Sequence, residues 1–150
     1  MRVFNSIGNK MQDFTPIDET SIGIYSCGPT VYNNLHIGNL SAFIYADLIR
    51  RSLTTEYPTV KHVMNITDID DKTIRDSKRD YPEDEPMAAL KKLTDKYTKV
   101  FMDDLRATGN DVDALQFISA VDTIPEMIAL TQTLLDKKIA YIADDAVYFS

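Results

Sequence analysis

Cysteine occurs once in these 150 residues, tryptophan is absent and glycine is found at only five positions. A single cysteine excludes an intrachain disulfide. No run approaches the roughly 20 apolar residues that cross a bilayer. The opening stretch from Met1 through Arg2, Phe4 and Ile7 to Lys10 holds no apolar core of a secretory signal. The cytosol is therefore the expected compartment, with no membrane partner. Basic residues are also scarce, 16 against 23 acidic ones, for a net charge of −7. That balance argues against a broad electrostatic platform for nucleic acid, while leaving room for RNA contacts made by other parts. There is no internal repeat or low-complexity tract. At 44% hydrophobic residues, the chain has enough apolar surface for one core, as one domain or a piece of a larger one.

What is present is concentrated in residues 22–39. An apolar run, Ile-Gly-Ile-Tyr-Ser-Cys, stops at Gly28 and Pro29, and a short loop then delivers His36 just ahead of a long apolar segment starting at Leu40. The pattern predicts a strand, a loop and a helix N-terminus. Such a terminus offers unpaired N–H groups and the positive end of a dipole, so it suits phosphate. Gly38 lets a flat ring or a phosphate approach the backbone. A lone cysteine in a strand is by default a small buried hydrophobe, but Cys27 ends this strand at the expected ligand edge.

Residues 60–66 read as a second core strand, followed by Thr67, Asp68, Asp70 and Asp71. In a strand–helix–strand unit the two strands run parallel and open on the same sheet edge, where ligands bind in α/β folds. Cys27 and His36 would then face Thr67 and Asp68. Asp68 could equally cap the next helix, and Asp70 and Asp71 read as caps or surface charges. The intervening helix, 38–53, carries charge only at Asp47, Arg50 and Arg51. A helix apolar nearly all round is expected to be buried, and the second strand is expected to be covered on both faces.

Elsewhere the sequence predicts a short strand at residues 2–5, a turn at Gly8 and Asn9, and a connection through Pro16. Residues 72–80 read as a charged stretch, and 81–86 as a loop that also offers helix-start chemistry. A helix follows from Met87 through Leu90, Leu93, Tyr97, Val100 and Phe101 to Leu105, with Gly109 at its C-terminal cap. Another spans about 124–137, with Ile124, Ile128, Leu134 and Leu135 expected inward. His62 is expected as a satisfied core histidine. The final segment, from Ile139, reads as a hairpin. Two parallel strands make a poor sheet with two open edges, so the chain is expected to be the front of something larger.

The quoted segments resemble the class I aminoacyl-tRNA synthetases, and among them the cysteinyl-tRNA synthetase family. His-Ile-Gly-Asn at 36–39 is similar to the class signature His-Ile-Gly-His. Cys-Gly-Pro-Thr-Val-Tyr at 27–32 resembles the family's Cys-Gly-x-Thr-Val-Tyr, and Asn-Ile-Thr-Asp-Ile-Asp-Asp-Lys at 65–72 matches its counterpart without a break. The resemblance covers the whole chain.

It implies an α/β fold, the N-terminal half of a Rossmann-like parallel-sheet catalytic domain. Residues 1–115 would form the first half of that domain, and 116–150 the start of a connective insertion. The implied reaction joins ATP and cysteine as cysteinyl-adenylate, then transfers the cysteinyl group to the 3′ end of its tRNA. Magnesium would accompany ATP, and the complete enzyme would be a monomer. Gly28, His36, Gly38 and Asn39 would bind ATP, with His36 and Asn39 along the phosphates as the catalytic donors. Thr67 and Asp68 would bind the amino acid, and Cys27 would be one ligand of a zinc ion whose other ligands are absent. Asn39 departs from the signature, since an amide donates to phosphate without carrying charge. The lysine-rich Lys-Met-Ser-Lys-Ser motif is also missing, so the 150 residues alone are expected to be inactive.

Three alternatives stay open on sequence. A small nucleotidyltransferase also uses His-x-Gly-His, but needs neither Cys27 nor the 65–72 segment. A cysteine ligase of the mycothiol pathway is a close relative without tRNA-binding domains. A nucleotide-binding half could also serve only for assembly.

Overall fold

The computed structural model describes residues 1–149. β1 (Arg2–Asn5) and β2 (Lys10–Asp13) form an antiparallel hairpin. Its turn puts Gly8 at φ 92° and Asn9 at φ 51°, a left-handed conformation that these two residue types tolerate best. β2 lies where the sequence predicts only a connection. Its polar alternation, Lys-Met-Gln-Asp, hides a strand whose Gln12 accepts from Asn5 at 2.7 Å.

The main unit follows as β3 (Ile22–Ser26), α1 (Ile37–Thr54), β4 (Val60–Ile66), α2 (Asp71–Asp80), α3 (Pro86–Ala107) and β5 (Leu115–Ser119). β3 and β4 are adjacent and parallel, with Ile22 opposite Val60 and Ser26 opposite Met64. That is the pairing the strand–helix–strand pattern predicts. The sheet has a third parallel strand, β5, with His62 opposite Leu115 and Ile66 opposite Ser119. This corrects the two-stranded sheet. Five residues in the acidic stretch after α3 leave little periodic signal, and pairing along β4 makes the strand. The expected division between 115 and 116 falls within it.

One face of the sheet is covered and the other is open. Met64 and Ile66 pack with Phe43 of α1 and with Phe101 and Leu105 of α3. The rings of Phe43 and Phe101 meet edge-on at 5.2 Å, and those of Phe101 and Phe117 at 6.1 Å. On the opposite face, Tyr25 and Ile118 are exposed. β4 is therefore not covered on both faces.

Two helices also depart from expectation. α1 is not buried all round: its outer face shows Tyr45 at 69% and Leu48 at 54% exposure. Its inner face instead carries charge. Asp47 accepts from Arg50 Nη2 at 2.9 Å and from Arg51 Nε at 2.6 Å. Arg50 reaches on to Asp111 at 3.1 Å, and Arg51 donates to the Gly109 carbonyl at 2.8 Å. Burial pushes the Asp47 carboxyl up, but the two guanidiniums outweigh it and hold the group below the usual carboxylate range. The cluster ties α1 to the turn after α3, where Gly109 adopts φ 83°.

The charged stretch at 72–80 lies in helix α2. Its buried residues are Thr73, Asp76 and Ser77, so apolar periodicity gives no sign of it. Asp70 caps the helix, accepting from the Lys72 N–H at 2.7 Å while Thr73 Oγ1 accepts from the Asp70 N–H at 2.8 Å. α3 forms as predicted, with Leu90, Leu93, Phe101 and Leu105 buried, although Met87 stays exposed.

Beyond the sheet, α4 (Ile124–Asp136) precedes an antiparallel hairpin of β6 (Ala140–Ile142) and β7 (Val147–Phe149). α4 buries no residue fully. Ile128, expected inward, is 64% exposed. Among the described residues, no helix is long and apolar enough to cross a membrane.

Candidate active site

The ends of β3 and β4 are joined residue by residue. The Thr67 N–H donates to the Pro29 carbonyl at 2.9 Å, and the Val31 N–H donates to the Thr67 carbonyl at 3.2 Å. Thr30 and Thr67 thereby form a parallel bridge. The loop then turns back over the sheet edge to start α1 at His36. Between loop and helix lies a cavity of about 520 Å³, lined by Cys27, Gly28, His36, Gly38, Asn39 and, among others, Tyr32 and Lys72. That volume lies in the usual range for small-molecule and cofactor sites.

His36 is the N-cap of α1. Its Nδ1 accepts from the N–H groups of Gly38 at 3.1 Å and Asn39 at 3.3 Å. With Nδ1 as acceptor, the neutral ring carries its proton on Nε2, the remaining donor. Asn39 completes a capping box: its Oδ1 accepts from the His36 N–H at 3.4 Å, which leaves Nδ2 to donate elsewhere. The Leu40 N–H is also satisfied, by the His36 carbonyl at 3.1 Å. The cap therefore takes the Gly38 and Asn39 amides, and the donors left for a ligand are the Ile37 N–H and side-chain atoms, with the helix dipole behind them.

Gly38 has a local role that the sequence does not show. A Cβ there would lie 3.0 Å from His36 Cε1 and Nδ1. The missing side chain lets the imidazole fold over the first turn. Lys72 and Tyr32 also line the cavity, which the sequence pattern does not signal. The Lys72 ammonium sits 5.1 Å from the centroid of the Tyr32 ring, within cation–π range. Among the described residues it makes no ion pair with a carboxylate. Its neighbours Asp70 and Asp71 make it look like part of a solvated charge cluster. Only the fold turns it towards the cavity.

The expected group does not assemble in full. Cys27 is a free, exposed thiol at the cavity wall, not a buried hydrophobe. Thr67 is not among the residues lining this cavity. It is half-buried beside it, bridged to Thr30, with its hydroxyl accepting from Asn65 Nδ2 at 2.9 Å, and Asp68 turns away. Its carboxylate accepts from Ser119 Oγ and from the Val121 N–H at 2.9 Å. It borders a separate hollow of about 490 Å³ between α3 and β5. Asp68 thus ties the end of β4 to the end of β5 and does not cap the next helix, whose N-cap is Asp70. Among the described residues no three His, Cys, Asp or Glu side chains gather closely enough to hold a metal. By themselves the described residues do not fit a zinc site.

His62 is 1% exposed. Its Nε2 hydrogen-bonds Ser26 Oγ at 2.8 Å, but Nδ1 has no partner, so it is only half satisfied. Burial, with the Arg50 charge adding to it and Asp47 opposing, pushes its pKa below the ordinary 6.5. The unfolded chain then binds more protons than the folded one below that value, so the folded state loses stability as pH falls through 6.5. Denaturant melts at pH 7, 6 and 5 should show this decline, and His62→Gln should flatten it. An unchanged slope in the variant would assign the decline to other groups.

A parallel sheet whose strand ends meet a His-x-Gly loop capping the crossover helix is a nucleotide-binding arrangement of the α/β class. The family model for the class I (C) tRNA synthetase catalytic domain matches residues 13–150. The chain belongs to that family. It is 40% identical to a cysteine–tRNA ligase of Leptospira interrogans, covering all of this chain and 30% of that protein. A cysteine–tRNA ligase of Methanosarcina acetivorans is 42% identical over 99% of this chain and 30% of its own length. One of Brachyspira hyodysenteriae is 40% identical over 97% and 29%. The chain thus spans about three tenths of the length of the curated relatives it matches.

Proposed function

We propose that this chain is the ATP- and cysteine-binding front of a cysteine–tRNA ligase. The observation that carries the reading is one cavity lined by Cys27, His36, Asn39 and Lys72, in a chain of the matching family. In the proposed reaction a cysteine carboxylate oxygen forms a bond to the α-phosphorus of ATP. The bond from that phosphorus to the bridging oxygen breaks, and pyrophosphate leaves with the electron pair. No protein nucleophile is needed, so catalysis is positioning and charge stabilisation. His36 Nε2–H and Asn39 Nδ2 are the donors proposed for phosphate oxygens. The Lys72 ammonium is the cation on their side of the cavity. The cysteinyl group would then pass to tRNA through regions beyond this chain. Within the chain, the catalytic half is proposed to run through β5, with α4 and the last hairpin opening the connective unit.

Zinc enters the proposal only through Cys27, as one ligand among others supplied from outside these residues. A thiolate-preferring ion would separate cysteine from serine far better than pocket shape. The complete gene product should exchange pyrophosphate into ATP with cysteine and not with serine. Cys27→Ser should lower bound zinc and cysteine preference together. Stoichiometric zinc with the parent's preference in that variant would remove Cys27 from the metal. Exchange driven by pantetheine phosphate or a nicotinamide nucleotide instead of cysteine would overturn the function. The 150 residues alone should show no exchange, and exchange near the complete enzyme's rate would overturn that expectation.

A further inference from the structure

The Asn65 side chain joins three partners at the sheet edge. Its Oδ1 accepts from the Gly28 N–H at 2.9 Å and from the Tyr25 hydroxyl at 2.9 Å. Its Nδ2 donates to Thr67 Oγ1 at 2.9 Å. The amide can face only one way. The Gly28 N–H is an obligate donor, so the atom opposite it must be oxygen, and nitrogen must face Thr67. Thr67 Oγ1 therefore spends a lone pair on Asn65 and keeps its own proton to donate elsewhere. Gly28 directly follows Cys27. One side chain thus fixes the backbone beside the thiol and the polarity of the threonine hydroxyl.

We propose that Asn65 is the positioning residue of the amino-acid end of the site. It holds the Cys27–Gly28 segment at a set distance from Thr67 and leaves the Thr67 hydroxyl as a donor to an electron-rich atom of the bound amino acid. The inference rests on the functional reading above. A merely structural Asn65 would satisfy the Gly28 N–H and do nothing else. Asn65→Asp distinguishes the two, because a carboxylate still accepts from Gly28 and Tyr25 but cannot donate to Thr67. The Thr67 proton would then turn to residue 65 and away from the ligand.

The test is cysteine-dependent pyrophosphate exchange by the complete gene product. Asn65→Asp should raise the KM for cysteine about tenfold, the worth of one hydrogen bond, and leave the KM for ATP within about twofold. Thr67→Val should cost a similar factor, and the double variant should cost little more than either, because the two substitutions remove one interaction. Asn65→Ala should in addition speed hydrogen exchange at the Gly28 amide, which Asn65→Asp should still protect. Equal rises in both KM values, or fully additive losses in the double variant, would overturn this inference alone. No cysteine-dependent exchange by the unsubstituted protein would overturn the functional reading and this inference with it.

Discussion

His36→Ala and His36→Asn should both slow adenylate formation about 100- to 1,000-fold, the usual effect of removing one donor aimed at developing charge. The pair separates two jobs held by one ring. Nδ1 caps α1 through the Gly38 and Asn39 N–H groups, and Nε2–H is the proposed phosphate donor. Asparagine is a good N-cap and alanine a poor one, so only the alanine variant should lose about 1 kcal/mol of stability. The affinity for cysteine should change little in either. Measurement needs single-turnover adenylate formation, an equilibrium binding assay for cysteine and a thermal melt. If the asparagine variant kept the parent's rate, His36 would be a cap and nothing more. If cysteine affinity and rate fell equally, its role would be structural.

Gly28→Ala should be the most destabilising single methyl that can be added to this chain. A Cβ at Gly28 would stand 1.7 Å from the Asn65 carbonyl oxygen and 2.9 Å from Met64 Cγ. The nearer obstacle is the backbone of the central strand, which cannot rotate aside. Overpacking costs about 1–3 kcal/mol, and this site should fall at the top of that range. For a chain of this size the melting temperature should drop by about 6–12 °C. Gly23 provides the contrast, on the open face of β3 with nothing within 4 Å of a built Cβ. Gly23→Ala should stay within about 0.5 kcal/mol of the parent. A Gly28→Ala protein melting within about 2 °C of the parent would show that β3 and β4 separate easily. The joint of Gly28–Val31 to Asn65 and Thr67 would then be a loose one.

Local sequence determined the elements whose signal is local. The apolar run to Ser26 and the breakers at Gly28 and Pro29 mark the end of β3. The stripe from Leu90 to Leu105, with Gly109 behind it, marks α3 and its stop. The three motif segments identify the family because each keeps several residue types in fixed order. Placement of His36 and Cys27 at one sheet edge follows from a parallel strand–helix–strand unit, so the sequence carried that as well.

Tertiary structure decided the rest, for reasons of pairing, facing and burial. Leu115–Ser119 is a strand because β4 offers it a partner, and the inner side of α2 is polar because it buries Thr73, Asp76 and Ser77. The apolar run of α1 leads to the expectation of burial all round, yet Tyr45 and Leu48 face outward while Asp47 and Arg50 lie inside, because each neutralises the other. Asp68 and Lys72 exchange their expected importance. The carboxylate finds Ser119 and Val121, some fifty residues away, and the lysine finds the ring of Tyr32. Sequence alone therefore determined which segments carry the chemistry. Only the folded chain could decide which side chains are left free to perform it, because hydrogen-bond partners far apart in sequence claim some of them first.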